Sequence, residues 1–362
     1  MKQVLANFKI NEKILSIESY GEGHINDTYL VECENNKNYI LQRINHHVFK
    51  DVEGLMNNIS LVTSFLKEKI IKNNGDIEKE TLNIVKTLDD KPFYLDKENH
   101  KYYRVYLFVN DSLTLQKAET KELFKESAIA FGRFQNLLSD FDASLLCETI
   151  KNFHNTKERY NHFENTLSLD KCNRAKYCKE EIDFVLQRKQ YCSKIVDLVE
   201  QNIIPLKVTH NDTKLNNVLL DNVTKKSLCV IDLDTIMPGS ALYDFGDSIR
   251  FGCNMGSEDS ENLDEVTFSL DYYKAFVEGF LQEVKSSLNK YELENLSFAS
   301  ILMTLECGIR FLDDYLDGDN YFKISKENHN LIRCRTQFKL VQEMEKQLDS
   351  MNQIVMDVYN KN

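Results

Sequence analysis

The stretch that decides the fold is His210-Asn211-Asp212-Thr213-Lys214-Leu215-Asn216-Asn217, which runs straight into apolar Val218-Leu219-Leu220. Asp221-Asn222 then turns the chain, and the apolar segment Leu228–Ile231 leads to Asp232-Leu233-Asp234. A polar loop, followed by a hairpin whose return strand ends in an acid, brings Asp212, Asn217 and Asp232 into one neighbourhood. Phosphoryl transfer uses such a set: a carboxylate beside the attacking hydroxyl, and hard oxygen ligands for Mg²⁺ bridging the phosphates. In this reading Asp212 is the base, Asn217 and Asp232 hold the metal, and His210 braces the loop. Any one of these residues alone reads more simply as a turn former between strands. The spacing of the whole set carries the chemistry.

Upstream, Ile14–Tyr20, Thr28–Glu32 and Tyr39–Ile44 are short β-rich stretches broken by Gly21-Glu22-Gly23 and by Glu34–Asn38. A helix is expected over Asp51–Lys72, where Leu55, Ile59, Val62, Leu66 and Ile70 recur every three or four residues. Strand signals return at Leu82–Leu88, Phe93–Leu95 and Tyr102–Val109. Beyond Asn110-Asp111 the pattern turns helical: Phe124, Ala128, Phe131, Phe134 and Leu138 share a face, and Asn155-Thr156-Lys157-Glu158 reads as a capping box. A further helix spans about 175–201, and helices fill the chain from Asp264 on. The expected architecture is α+β, with a small antiparallel β-rich N-lobe (1–109) and a larger helical C-lobe (110–362).

Length and composition agree with two lobes. At 362 residues the chain exceeds one compact core, and 21 Phe and 17 Tyr supply aromatic bulk where Trp is absent. The 45 basic against 57 acidic residues give a net charge of −12, which argues against bulk electrostatic binding of nucleic acid or anionic lipid. No apolar run has the length of a membrane helix, and the first residues lack the apolar core of a signal peptide. Nine scattered cysteines with no C-x-x-C pair read as reduced thiols, so a cytoplasmic location is expected.

The pattern H-x-D-x-x-x-x-N followed by I-D-x-D resembles the aminoglycoside phosphotransferase-like kinases, relatives of the protein kinases. The likeness extends through Gly23-His24-Ile25-Asn26-Asp27-Thr28-Tyr29, Tyr39–Asn45 and Arg104–Phe108, and so spans most of the chain. It implies a bilobal protein-kinase-like fold, with ATP and Mg²⁺ as cofactors and a small-molecule acceptor. The wording H-N-D-T-K-L-N-N and C-V-I-D-L-D-T-I-M-P-G is most similar to members that phosphorylate the anomeric hydroxyl of a free N-acetylhexosamine. The same fold also serves aminoglycoside, choline or homoserine as acceptors, and a non-catalytic nucleotide-binding module would share it. Asp244-Phe245-Gly246 spells the protein-kinase D-F-G, yet Asp232 directly follows the apolar strand and takes the metal. Asp234, Asp244 and Asp247 are left as structural support.

For the nucleotide, Gly21 and Gly23 would let backbone amides approach phosphates, although a plain hairpin turn accounts for them equally well. Gln42 and Arg43 occupy the region where kinases place a phosphate-binding Lys. Alternation sets them on opposite faces, and the charge favours Arg43, with Glu53 as its ion-pair partner by analogy. Leu107, Phe108 and Val109 would offer backbone groups to adenine. For the acceptor, the resemblance points to His24, Asn26, Phe251, Cys253, Arg310 and Tyr321. The acidic run Asp313–Asp319 beside Arg310 admits the rival of a polycationic acceptor.

Overall fold

The computed structural model describes residues 1–21 and 25–361. Gly23 and His24, singled out above, lie outside the described residues. The chain forms two compact units, neither continuous in sequence. The first comprises Met1–Leu115, Leu137–Lys151 and Asn216–Pro238, and the second Gln116–Asn136, Asn152–Leu215 and Gly239–Asn362.

In the first unit, α1 (Lys2–Leu5) precedes strands β1 (Ile14–Ser19), β2 (Asp27–Cys33) and β3 (Tyr39–Ile44). Helix α2 (Val52–Lys72) follows, then β4 (Ile84–Val85), β5 (Tyr94–Asp96) and β6 (Lys101–Leu107). The strands make one antiparallel sheet in the order β1-β2-β3-β6-β4, with β5 also on β6. Only Ile84–Val85 of the expected strand Leu82–Leu88 joins the sheet. Register sets Thr28 against Gln42 and Gln42 against Arg104. Alternation then sends Val31, Tyr39, Leu41, Tyr103 and Val105 to one face, where they pack on Val4, Leu5 and Phe8 in a dry core. Asp51 caps α2 by accepting from the Gly54 N–H at 2.8 Å.

Strand β7 (Ser112–Leu113) pairs with β8 (Val218–Asp221), which pairs with β9 (Ser227–Val230). The hairpin that carries Asn217 and Asp232 is thus hydrogen-bonded to chain just beyond residue 109. A division by chain position at 109 cannot capture this long-range pairing.

The second unit is helical: α3 (Lys121–Leu137), α4 (Thr156–Leu169), α5 (Lys179–Gln187), α6 (Lys189–Glu200) and α7 (Ala241–Gly252). They are followed by α8 (Leu270–Val284), α9 (Lys290–Asp317), α10 (His329–Lys346) and α11 (Leu348–Lys361). Asn155 caps α4 by accepting from the Glu158 N–H at 3.1 Å. The helix expected over 175–201 is interrupted at Arg188, which leaves helical geometry at φ −108°. There its guanidinium forks onto both oxygens of Glu345, at 2.9 and 2.7 Å. Helix α9 is long and apolar enough to cross a membrane by composition, but 89% of its apolar window is buried inside the protein, so it serves as the core helix of this unit.

Candidate active site

In the second unit a short strand, Lys207–Thr209, delivers the chain to His210. The His210 ring is buried edge-on to Phe131 and Phe134, at 5.6 and 6.1 Å. Its Nδ1 lies 3.3 Å from the Asp212 N and accepts from its N–H. The first turn of α7 meets the same loop. Asp244 accepts from the backbone N–H groups of His210 (2.9 Å) and Asn211 (2.7 Å) and from the Gln135 amide (2.6 Å). Asp247 accepts from the Thr213 N–H at 3.2 Å, and the Ser248 hydroxyl donates to the Thr213 carbonyl at 3.1 Å. The backbone of 210–213 is therefore tied to one helix, while the Asp212 carboxylate stays partly exposed, 2.7 Å from Lys214 Nζ.

Charge around this loop is balanced by neighbours. Burial would raise the Asp247 carboxyl, but Arg250, Lys214 and His154 outweigh it and hold it below the usual carboxylate range. Burial likewise works to lower the Lys214 ammonium, and the adjacent Asp212 lifts it above its ordinary value. Lys214 thus stays a cation beside the Asp212 carboxylate, a pairing its position two residues on from Asp212 did not by itself disclose.

In the first unit, Asn217 opens β8, and its carbonyl accepts from the Ile231 N–H at 2.9 Å. That bond sets Asn217 beside the segment that ends in Asp232. Asp232 is exposed, with a left-handed backbone at φ 59°. An amide oxygen and a carboxylate are the hard donors that Mg²⁺ accepts, and Mg²⁺ takes its remaining ligands from phosphates and water. Among the described residues no cluster of three or more His, Cys, Asp or Glu could hold a metal by itself. Two protein ligands suit that mode of binding, so the residues present fit the ion.

Two residues beyond Asp232, Asp234 is buried in an ion pair with Arg104, the largest fully buried side chain. Arg104 Nε also donates to Gln42 Oε1 at 2.9 Å. Burial alone would lower the Arg104 pKa, but Asp234 beside it, with Asp232 adding, raises it. Asn26 Nδ2 donates to Asp234 at 2.6 Å while its Oδ1 accepts from the Asn45 N–H at 2.9 Å. Asn26 is accordingly a buried tie within the first unit, engaged through both ends of its amide.

Among the nucleotide residues, one expected pairing is not formed. Arg43 points to the sheet face opposite Gln42 and Arg104, and pairs with Asp27. Glu53 is exposed in the first turn of α2 and forms no ion pair among the described residues, so the Arg43–Glu53 pair is absent. Sequence alone could not say which face of β3 looks toward Asp234. Gly21 has φ +76°, a conformation only glycine adopts freely. The N–H groups of Leu107 and Phe108 are bonded to the Asn83 and Asn38 carbonyls. That of Val109 has no hydrogen-bond partner among the described residues, and is the donor this segment can offer.

Among the acceptor residues, Arg310 and Tyr321 do come together. The guanidinium lies 5.6, 5.7 and 5.5 Å from the rings of Phe153, Tyr321 and Phe322, with Nη2 3.5 Å from the Tyr321 hydroxyl. Phe251 is half-buried near the end of α7. Cys253 is completely buried, burial pushes its thiol well up, and its N–H and C=O are bonded to Ile249 and Ser269. The acidic run is largely engaged within the protein. Asp313 binds His162 at 2.7 Å, Asp319 binds Arg174 at 2.5 Å, and Asp314 accepts from the N–H groups of Asn320, Tyr321 and Phe322.

The sequence model of the phosphotransferase enzyme family named for APH matches residues 16–268, well over half of the chain. The chain belongs to this family. Its fold is shared with small-molecule kinases of low sequence identity. An aminoglycoside phosphotransferase from Alicyclobacillus acidocaldarius superposes with a TM-score of 0.64 at 12% identity, over 99% of this chain and 96% of that one. A microcompartment-associated aminopropanol kinase gives 0.57 at 14% identity, over 97% of both chains. An amicoumacin kinase in complex with AMP-PNP and Ca²⁺ gives 0.58 at 13% identity, over 94% of this chain and 96% of that one. In this phosphotransferase, Arg104, like Lys214, is a residue that sequence reasoning missed. An Arg on a strand reads as a solvated charge, and only the pairing of β6 with β3 reveals that it faces inward.

Proposed function

We propose that the protein is an ATP- and Mg²⁺-dependent kinase that transfers the γ-phosphoryl group to the anomeric hydroxyl of a free N-acetylhexosamine. The observation that carries the kinase reading is the Asp212 carboxylate, partly exposed on a loop whose backbone is fixed by Asp244 and Asp247. Asp212 orients the hydroxyl and accepts its proton; the ring oxygen makes that hydroxyl more acidic than a simple alcohol, so a carboxylate base suffices. Lys214, a cation beside the base, is suited to meet the charge of the transferred group. Asn217 and Asp232 would hold Mg²⁺, which when bound neutralises phosphate charge. The N–H of Val109 is the donor we assign to adenine.

The acceptor reading rests on Arg310 and Tyr321, a cation and a hydroxyl set among aromatic rings. Such a surface suits the amide and ring of a neutral sugar. A polycation would require open carboxylates; Asp314 and Asp319 are already engaged, and Asp313 is held by His162 through one oxygen. A cytoplasmic location is part of the same proposal, since ATP and a free sugar meet there.

Phosphorus NMR of the products from MgATP and N-acetylglucosamine or N-acetylgalactosamine tests the whole reading, because coupling to the anomeric proton reports the position phosphorylated. ADP release with choline or an aminoglycoside, and none with either sugar, would replace the acceptor. No transfer to any of them would remove the kinase reading.

A further inference from the structure

His154 lies just ahead of α4 and is not used in the chemistry above. Its Nδ1 is 2.8 Å from Glu306 Oε1 of α9, and its Nε2 is 3.2 Å from the Asn211 carbonyl. The ring is almost enclosed, with the Glu306 side chain 1% exposed and Phe153 and Tyr243 4.6 and 5.7 Å away. A carbonyl only accepts, so Nε2 must carry a proton. Burial would lower this pKa, but Glu306, with Asp247 adding, raises it, which favours a ring protonated on both nitrogens.

The bonded carbonyl belongs to the peptide group joining Asn211 to Asp212. The N–H of that same peptide donates to His210 Nδ1. Two histidines therefore grip opposite ends of one peptide plane: His210 accepts from its N–H and His154 donates to its carbonyl. Asn211 sits at φ 65°, a region most residues avoid, so its orientation depends on such ties. Asp212 is the next residue, and the direction of its side chain follows from that plane.

We propose that His154, held by Glu306, is a positioning residue for phosphoryl transfer, fixing the 211–212 peptide so that the Asp212 carboxylate is aimed at the acceptor hydroxyl. The inference rests on Asp212 being the base. Misplacing a reacting group by about an ångström costs about 100-fold in rate. His154→Phe keeps an aromatic ring but removes both donors, whereas His154→Gln keeps one N–H donor. We expect H154F to lower kcat about 100-fold with KM for ATP changed less than about threefold, and H154Q to recover most of that loss. H154F holding kcat within about twofold of wild type, or H154Q no better than H154F, would overturn the proposal.

Nitrogen NMR of histidine-labelled wild-type protein near neutral pH reads the same bond without turnover. A His154 signal protonated at Nε2 is expected, and a bare Nε2 overturns the clamp even if H154F fails to fold. Failure of the kinase reading itself is seen separately, as a wild-type protein that transfers no phosphate.

Discussion

At the level of single residues, Asp212 and Arg104 carry opposite lessons. Asp212, Asn217 and Asp232 can be proposed from sequence because the loop and hairpin that bear them are local, and their spacing survives any choice of sheet face. Loss of the proposed base should be felt mainly in turnover. Asp212→Asn keeps shape and loses the proton acceptor, so kcat in a coupled ADP assay should fall by about 10²–10⁴-fold, with the melting temperature little changed. Arg104 was illegible, because its role exists only once β6 is paired to β3 and Gln42, Arg104 and Asp234 share a face. Arg104→Met would leave the Asp234 carboxylate buried without its partner, and urea denaturation should show a loss of about 3–5 kcal/mol. If the loss stays below about 1 kcal/mol, the value of a screened surface pair, the ion pair is not the buried hub described.

At the level of elements, α7 decides how the loop at 210–213 is held. Its first turns supply Asp244, Asp247 and Ser248 to residues 210–213, and its Gly246 lies against α9 so closely that an added Cβ would clash with the Ala299 carbonyl oxygen. Both atoms belong to packed helices, so Gly246→Ala should push the helices apart at a cost of about 1–3 kcal/mol, seen in thermal melts. The same helix should give the protein part of its acid sensitivity. The Asp247 pKa is depressed, so its contribution is fully present above the unfolded value of about 3.9 and is lost as pH falls through the lower folded value. Asp247→Asn should therefore flatten the acid limb of the stability curve; an unchanged limb would mean that Arg250 and Lys214 do not hold that charge. Helix composition foretold α7 poorly, since D-F-G reads as a loop motif, and nothing in the sequence near Arg188 announces the break between α5 and α6.

At the level of the whole molecule, the residues assigned to phosphoryl transfer are divided between units that are each discontinuous in the chain. Asp212 lies in the unit that includes Asn152–Leu215, and Asn217 and Asp232 lie in the one that includes Asn216–Pro238. The antiparallel sheet and the helical remainder could be read from periodicity, whereas the pairing of β7 with β8 joins residues more than a hundred positions apart and leaves no local signal. The division allows ligand linkage to separate the two roles. A ligand that binds only the folded protein stabilises it by about 2.7 kcal/mol at a concentration 100-fold above its Kd. MgATP should therefore raise the melting temperature, and chelating the metal should reduce the shift. Asp232→Asn should abolish the metal-dependent part, because its carboxylate is proposed as a ligand, while Asp212→Asn should retain it, because Asp212 is proposed to meet the acceptor and not the ion. Equal loss in both variants would contradict that assignment, and a metal-dependent shift that survives Asp232→Asn would move the ligand elsewhere in the first unit.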